Sequence, residues 1–242
     1  MQDTPIYAVG DIHGYLDQLD WALDLIEKDG GKNAQVVFLG DLVDRGSDSR
    51  KVIDRLMAGI AAGRNWTVLR GNHDEMFMNF LETGTGEHYR IRSGITWPSE
   101  RIGGLATLAS YGVEDLQRPL KALWKDSLGR VPHRHLEFLK SLSFSLEVGD
   151  LLFVHAGIRP ECPLGQQDPQ DLIWIRNEFL DFTDPHPWLV VHGHTHRPTA
   201  EHRGNRINLD SGAGYGRPIT AAVLEGRKAW TLTPFGREKL TS

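Results

Sequence analysis

The sequence of 242 residues is nearly free of cysteine, with Cys162 as the single example. One cysteine cannot form an intramolecular disulfide bond, so packing alone has to stabilise the fold, and a chain of this length can bury a sufficient core. Structural disulfides belong to oxidising compartments, and their absence predicts a cytoplasmic protein. The sequence also lacks internal repeats and low-complexity tracts, and its composition is that of an ordinary globular protein.

Long apolar runs and an excess of positive charge are missing as well. No apolar window reaches the roughly 18 residues that a membrane-spanning helix needs. The N-terminal residues show no basic stretch followed by an apolar run, so we expect no signal peptide. The 32 acidic residues outnumber the 27 Lys and Arg residues, which gives a net charge of -5. Nucleic-acid surfaces are usually basic, so we expect neither a nucleic-acid partner nor a membrane partner.

The first third of the sequence alternates short apolar runs with amphipathic helical patterns. Apolar runs at 6–9, 36–39 and 66–69 predict buried strands, and apolar residues at helical spacing over 16–26 and 52–60 predict the helices between them. This alternation is typical of βαβ units with a largely parallel sheet. Ligands of open α/β sheets bind at the carboxyl ends of the strands. We therefore expect the polar clusters that follow these runs to meet in space.

The segment from about 82 to 143 differs, because it shows short helical patterns and little strand pattern. We interpret it as a helical insertion beside the site and predict a single domain, 1–242, that contains it. Apolar runs at 144–148 and 151–154 predict a hairpin, and 189–191 predicts another buried strand. The tail contains three apolar segments separated by glycine-rich turns, for which we predict antiparallel strands; they lie at 207–209, 219–224 and 229–232.

Five polar clusters each follow an apolar run and offer only Asp, Asn and His as metal ligands. They are Gly10-Asp11-Ile12-His13-Gly14, Gly40-Asp41-Leu42-Val43-Asp44-Arg45-Gly46, Gly71-Asn72-His73-Asp74, His155-Ala156-Gly157 and Gly193-His194-Thr195-His196. Oxygen and nitrogen ligands of this kind suit Mn, Fe and Zn alike. Side chains two apart on an extended segment point the same way, so Asp11 and His13 are expected to bind one ion. One cluster alone could be a helix cap or a structural histidine, but five at strand ends predict a metal centre.

With these motifs the chain resembles the calcineurin-like metallophosphoesterase superfamily. Within it, the Gly-Asp-x-His-Gly, Gly-Asp-x-Val-Asp-Arg-Gly and Gly-Asn-His segments resemble the phosphoprotein phosphatase branch, in particular the bacterial and phage serine/threonine protein phosphatases. The resemblance extends from Tyr7 to about Leu224. It implies an α/β fold, namely a four-layer α/β/β/α sandwich of two mixed sheets flanked by helices.

The resemblance also implies a cofactor of two divalent metal ions, with manganese as the first expectation and iron or zinc as alternatives. Asp11 and His13 would bind the first ion, Asp41 would bridge both, and the second ion would be completed by Asn72, His155 and His194. A hydroxide held between the ions would then attack the phosphate directly. His196 is a candidate further ligand of the first ion, because the wider superfamily has a second histidine in this motif.

The same resemblance assigns the remaining site residues. His73 would protonate the leaving group, and Asp44 would orient it and keep it charged. Arg45 and Arg176 would bind the substrate phosphate. Asp74 stands where the branch more often has glutamate, and we expect it to cap the following helix.

The leading hypothesis for the function is a phosphomonoesterase that acts on phosphoserine or phosphothreonine in proteins, with phosphotyrosine as a further substrate. The alternative is hydrolysis of a dinucleoside polyphosphate such as diadenosine tetraphosphate, or of another nucleotide, because such hydrolases share the first three motifs. The Gly-His-Thr-His motif and the segment Leu172-Ile173-Trp174-Ile175-Arg176 favour the first reading. A metal-binding scaffold without activity is disfavoured because no ligand is missing, and a nuclease-like phosphodiesterase because the chain is acidic. The partner is thus a phosphoprotein or a small phosphate ester, and the sequence predicts no oligomeric state.

Overall fold

A computed structural model of the chain describes residues 4–91 and 94–242. Two short stretches lie outside the described residues. They are residues 1–3, part of the N-terminal stretch considered for a signal peptide, and residues 92–93, inside the predicted insertion. The strands of the described part are β1 (Ile6–Val9), β2 (Gln35–Phe38), β3 (Trp66–Val68), β4 (Ser145–Val148), β5 (Leu151–Val154), β6 (Leu189–His192), β7 (Glu201–His202), β8 (Arg206–Asn208), β9 (Ala221–Glu225), β10 (Lys228–Thr233) and β11 (Gly236–Leu240). Its α-helices are α1 (Leu16–Gly30), α2 (Ser49–Ala61), α3 (Asn72–Thr83), α4 (Gly104–Ser110), α5 (Leu120–Arg130), α6 (His133–Ser141), α7 (Pro169–Trp174) and α8 (Asn177–Leu180).

The strands form two mixed sheets. The first has the order β11-β10-β9-β1-β2-β3, in which β1, β2 and β3 are parallel and β9 runs antiparallel to β1. The second has the order β4-β5-β6-β8-β7, in which β5, β6 and β8 are parallel and the two edge strands are antiparallel to their neighbours. Five of these six parallel strands, β1, β2, β3, β5 and β6, precede the polar clusters of the sequence.

Alternate side chains of each strand enter different layers of the core, as the two-residue period of a strand requires. In β1, Ile6 and Ala8 lie between the two sheets together with Phe153 of β5. Tyr7 and Val9 of the same strand instead pack in the cluster that contains α1, α2 and α3. A third cluster joins the outer face of the second sheet to α7 and α8. The predicted four-layer α/β/β/α sandwich is therefore confirmed.

The tail departs from the prediction in one strand. β8 runs parallel to β6, with Ile207 opposite Val191, because the short β7 intervenes and pairs antiparallel with β8. The prediction that all tail strands are antiparallel was therefore wrong for β8. The antiparallel strands β9, β10 and β11 belong to the other sheet.

Three helices, α4, α5 and α6, lie in the segment between α3 and β4. Their apolar side chains join the core of the first sheet, as Leu108, Leu123 and Leu139 show. The helical pattern of this stretch agrees with the sequence, whereas its description as an insertion in one domain stays a prediction. Across residues 4–91 and 94–242, no helix combines the length and the apolar content that crossing a bilayer requires.

Candidate metal centre

The polar clusters lie together where the parallel strands of both sheets end. Backbone hydrogen bonds join the loops, since His13 N donates to Asp41 O at 2.8 Å and Gly193 N donates to His155 O at 2.8 Å. The side chains expected to bind metal at these strand ends are buried, namely Asp11, His13, Asp41, Asn72, His155 and His194. The structure thus brings residues from five separate stretches of sequence into one site.

Two groups of candidate metal ligands share the carboxylate of Asp41. His13, Asp41 and His73 offer ligand atoms that lie within 4.8 Å of one another, and Asp41, His155 and His194 do the same. A carboxylate common to two groups is what a pair of ions about 3.5–4 Å apart needs as a bridge.

The hydrogen-bond partners of His155 show why a cation fits here. Its Nδ1 lies 2.9 Å from the carbonyl oxygen of Leu39, which can only accept, so Nδ1 carries the ring proton. Burial lowers the pKa of His155 to about 3, so the ring is neutral and Nε2 is a bare lone pair. That lone pair faces two further acceptors, Asn72 Oδ1 at 3.0 Å and Asp41 Oδ1 at 3.4 Å. Converging acceptors without a proton form a metal-binding environment.

His13 and His194 also place ring nitrogens close to oxygen atoms of predicted ligands. His13 Nδ1 lies 3.0 Å from the carbonyl oxygen of Val43, which leaves Nε2 at 3.6 Å from Asp41 Oδ2. His194 Nδ1 lies 2.8 Å from Asn72 Oδ1. The ring nitrogens and these oxygens therefore converge in the way that bound ions would require.

The electrostatics of the cluster also fit divalent cations. Burial and the charge of Asp74 raise the pKa of Asp41 well above its usual range. Burial and the neighbouring carboxylates of Asp210 and Asp41 do the same to the pKa of Asp11. Buried carboxylates beside neutral imidazoles concentrate electron pairs, and the charge of Arg45 offsets this only in part. A bound cation would relieve the remaining repulsion.

The backbone between Asp11 and His13 differs from the one on which their predicted sharing of an ion was based. The prediction assumed extended backbone, but His13 has a φ of 50°, so the chain turns between the two side chains. Among the described residues, neither ligand group includes Asp11. Its carboxylate accepts the backbone N–H of His194, at 3.2 Å to each oxygen. The assumption of extended backbone was wrong, and ligation of the first ion by Asp11 stays a prediction.

The sequence reading missed Asp210, which follows β8 and is buried beside Asp11. Its position after an apolar run, Ile207 to Leu209, is the signal that could have identified it. The carboxylate accepts the backbone N–H of Gly212 at 2.9 Å. Asp210 therefore adds a second negative charge at the predicted position of the first ion.

His196 lies apart from both ligand groups of the described chain. It is exposed, and its ring centroid lies 4.4 Å from that of Tyr215. Packing against Tyr215 holds the imidazole at the rim of the site. Its role as a ligand of the first ion stays a prediction.

Two glycines permit the close approach of backbone to carboxylate. A Cβ on Gly71 would collide with Asp41 Oδ1 and with the backbone nitrogen of Asp41. A Cβ on Gly193 would collide with Asp11 Oδ1. These glycines are therefore required because the carboxylates occupy the space of the missing side chain.

Unusual backbone conformations concentrate at this site. Seven described non-glycine residues have a positive φ, and five of them belong to the motifs: His13, Asp41, Asp44, Arg45 and His194. Such conformations cost about 1–3 kcal/mol each and persist only where the surroundings hold them. The strain is concentrated on residues to which the resemblance assigned metal binding, phosphate binding and the orientation of His73.

His73 and Asp44 form a buried pair beside the two ligand groups. His73 Nδ1 lies 2.6 Å from Asp44 Oδ2. The carboxylate accepts two further hydrogen bonds, from Trp97 Nε1 at 2.9 Å and from Thr107 Oγ1 at 2.7 Å. Trp97 and Thr107 come from the helical segment, where no motif marks them, so sequence reasoning could not identify them.

The protonation of this pair differs from the expectation. Burial lowers the pKa of His73 well below its usual range, and the positive charges of Arg45 and Arg176 lower it further. Burial raises the pKa of Asp44 to about 7, although Thr107 and Trp97 oppose the rise. Desolvation therefore outweighs the attraction that was expected to keep His73 charged. His73 Nε2 lies 4.0 Å from Asp41 Oδ2, a position compatible with a proton donor or with a metal ligand.

Two arginines place positive charge at the site. The guanidinium of Arg45 lies 4.5 Å from the ring centroid of Tyr215, and its charge lowers the pKa of His13 as well as that of His73. Arg176 is exposed at the start of α8, and its charge lowers the pKa of His155 and His194. Both charges therefore act on histidines of the site, and the contact of these arginines with a substrate phosphate stays a prediction.

Asp74 forms hydrogen bonds to the backbone of two motifs. Its Oδ2 accepts the backbone N–H of Gly71, at the start of α3, and its Oδ1 accepts that of Leu42, both at 2.9 Å. The first bond is the expected cap, and the second fixes the loop that carries Asp41.

Comparison with known proteins agrees with this geometry. The family model described as calcineurin-like phosphoesterase matches residues 4–215. Bis(5'-nucleosyl)-tetraphosphatase PrpE (asymmetrical) of Oceanobacillus iheyensis is 25% identical over 98% of this chain and 96% of its own length. The catalytic subunit of serine/threonine-protein phosphatase 4 of Candida glabrata is 43% identical, but over only 30% of this chain and 23% of its own length.

Among solved structures, a protein provisionally described as a diadenosine tetraphosphatase superposes with a TM-score of 0.65 at 23% identity, covering 95% of this chain and 93% of the other. At that identity the likeness concerns the fold. The family match covers most of the chain, from the first strand to Tyr215 beside Arg45, and includes all five metal-ligand clusters. The chain is therefore a member of the calcineurin-like phosphoesterase family and a metal-dependent phosphoesterase.

Proposed function

We propose that the chain hydrolyses bis(5'-nucleosyl) tetraphosphates asymmetrically, releasing a nucleoside triphosphate and a nucleoside monophosphate. The observation that carries this proposal is the extent of the match to the relative from O. iheyensis, which covers 98% of this chain. Residues outside the metal motifs are therefore included in the likeness. The proposal reverses the order of the two readings drawn from the sequence.

The protein phosphatase likeness is narrower. It spans 74 residues and 30% of the chain, and motifs held in common by phosphoesterases of several substrate classes can account for a match of that size. It supports the metal chemistry without selecting a phosphoprotein substrate. Hydrolysis of phosphoserine peptides is therefore the second candidate, and the experiment below includes it.

In the proposed site, the chain binds two divalent ions, with manganese as the first ion to test. Asp11, His13 and Asp41 would hold one ion, and Asn72, His155 and His194 would join Asp41 in holding the other. Such ions supply an acidified water and neutralise the charge of the phosphates. Arg45 and Arg176 hold the phosphate that is attacked, since guanidinium groups bind phosphate oxygens in pairs.

His73 would deliver a proton to the leaving phosphate oxygen, with Asp44 holding the ring in place. Burial lowers the pKa of His73 in the free protein, and the negative charges of the bound polyphosphate and of ionised Asp44 would raise it again, so that Nε2 takes up the proton it delivers. The bond from Asp44 Oδ2 to Nδ1 directs Nε2 towards the ligand groups. Positioned proton transfer of this kind typically contributes 10²–10⁴-fold. A cytoplasmic location, suggested by the cysteine content, belongs to the same proposal.

The test compares substrates on manganese-loaded protein and separates the nucleotide products by anion-exchange chromatography. Diadenosine tetraphosphate is compared with a phosphoserine peptide, a phosphotyrosine peptide and a bis-aryl phosphodiester. We expect the highest kcat/KM for the dinucleotide, with ATP and AMP released in equal amounts. A higher kcat/KM for either peptide would contradict the proposal, and two molecules of ADP would show symmetrical cleavage. The Asp41→Asn variant serves as the control for contaminating activities.

A further inference from the structure

We propose that a cavity beside Arg45 binds one nucleoside of the substrate, with its base against Tyr215. This inference rests on the proposed function and specifies where the substrate lies. The cavity has a volume of about 400 Å³, within the range of roughly 300–1,000 Å³ that small-molecule sites occupy. Arg45 lines it and also borders the metal centre, so a phosphate held by this guanidinium would place its ester substituent at the mouth of the cavity.

The walls of the cavity have the chemistry that a base and a ribose require. Tyr15 and Tyr215 contribute aromatic rings, and Leu105 and Ala106 of α4 contribute an apolar surface. Tyr215 remains 61% exposed although both Arg45 and the ring of His196 pack against it. An aromatic ring left open beside a cationic group is a stacking surface for a nucleobase.

The helical segment supplies one side of this cavity, which gives it a role that the sequence could not show. Arg101, Leu105 and Ala106 all come from it. Arg101 is exposed and lines the cavity together with Glu100, whose opposite charge offsets it. Gly103 O also accepts the backbone N–H of Arg45 at 3.2 Å. The wall is therefore fixed relative to the arginine that would hold the phosphate.

The experiment measures the dissociation constants of AMP and of inorganic phosphate by calorimetry on manganese-loaded protein. Both ligands offer a phosphate, so the ratio of the two constants isolates the contribution of the nucleoside. Stacking of one base on an aromatic side chain contributes a preference of roughly fivefold to 150-fold (about 1–3 kcal/mol). We expect wild-type protein to bind AMP more tightly than phosphate by a factor in this range.

Two variants and one control variant locate that preference. Ala106→Trp fills the cavity and should reduce the preference to about one. Ala109→Trp places the same ring on the exposed face of the same helix and should leave the preference as in wild type. Tyr215→Leu alters an exposed position that does not endanger folding, and it should lower the preference at least threefold.

The outcomes separate this inference from the proposed function. No preference for AMP in wild-type protein, or an undiminished preference in Ala106→Trp and Tyr215→Leu, overturns the nucleoside site even if diadenosine tetraphosphate is hydrolysed. A preference lost in these two variants and kept in Ala109→Trp supports the site even if that substrate is left intact.

Discussion

Replacing Trp97 by phenylalanine should impair the pair formed by Asp44 and His73 from outside the motifs. Trp97 is 1% exposed and donates its indole N–H to Asp44 Oδ2 at 2.9 Å. A hydrogen bond to a charged group contributes about 1.5–3 kcal/mol. Because this bond stabilises the ionised carboxylate, its loss should raise the pKa of Asp44 by about 1–2, at 1.36 kcal/mol per pKa unit.

The consequence for activity follows from the direction of that change. Burial holds the pKa of Asp44 at about 7, and the ionised form is the one that orients His73. Activity should therefore fall as the pH decreases through this pKa, and the acidic limb of the profile should move to higher pH in Trp97→Phe. At pH 7 the ionised fraction falls roughly fivefold to fiftyfold if the pKa rises by 1–2. Bound cations lower the pKa in both proteins, so the prediction concerns the displacement between the two profiles.

The assay is kcat/KM against pH, with thermal unfolding measured in parallel. Trp124→Phe is the matched control, because Trp124 lies in the same helical segment and donates its indole N–H to the carbonyl oxygen of Leu81 at 2.9 Å. It should lose stability without moving the pH profile. If Trp97→Phe loses stability while its acidic limb coincides with that of wild type, Trp97 does not act through Asp44 and the reasoning is refuted.

Four further changes test individual residues. Asp41→Asn should abolish turnover and release both ions, and metal analysis that finds two ions retained with full activity would exclude the bridging role. His73→Asn should lower kcat by roughly 10²–10⁴-fold with little change in metal content; loss of one ion would instead make His73 a ligand. His196→Ala should weaken only one of the two ions in a metal titration, and two unchanged affinities would remove His196 from the ligand set. Gly71→Ala should displace the Asp41 carboxylate and reduce metal affinity at least tenfold by calorimetry, whereas Gly129→Ala, in open space on α5, should leave the metal affinity unchanged.

The sequence predicted most of the fold because local patterns determine it. The run Ile6 to Val9 is apolar throughout, and it forms β1 with the same bounds. The direction of β8 depends on the two-residue strand β7, Glu201–His202, which is too short to leave a periodic pattern. Strand direction in the tail therefore depends on which strands pair, and local sequence patterns do not reveal that pairing.

The candidate site was predictable in its membership and less so in its geometry. The motifs identified Asp41, His155 and His194, which form one ligand group. They could not place Asp11 relative to His13, because the positive φ of His13 is imposed by contacts with other loops, such as Gly46 N donating to His13 O at 2.8 Å. They also could not identify Trp97, because its partner Asp44 lies 53 residues away along the chain.

The central claim is that two ions share the carboxylate of Asp41. Anomalous scattering from crystals of the manganese-loaded protein tests it most directly. We predict two peaks about 3.5–4 Å apart, both adjacent to Asp41, with His155 and His194 around one of them and His13 beside the other. A single peak, or two peaks of which one lies away from Asp41, would contradict the account.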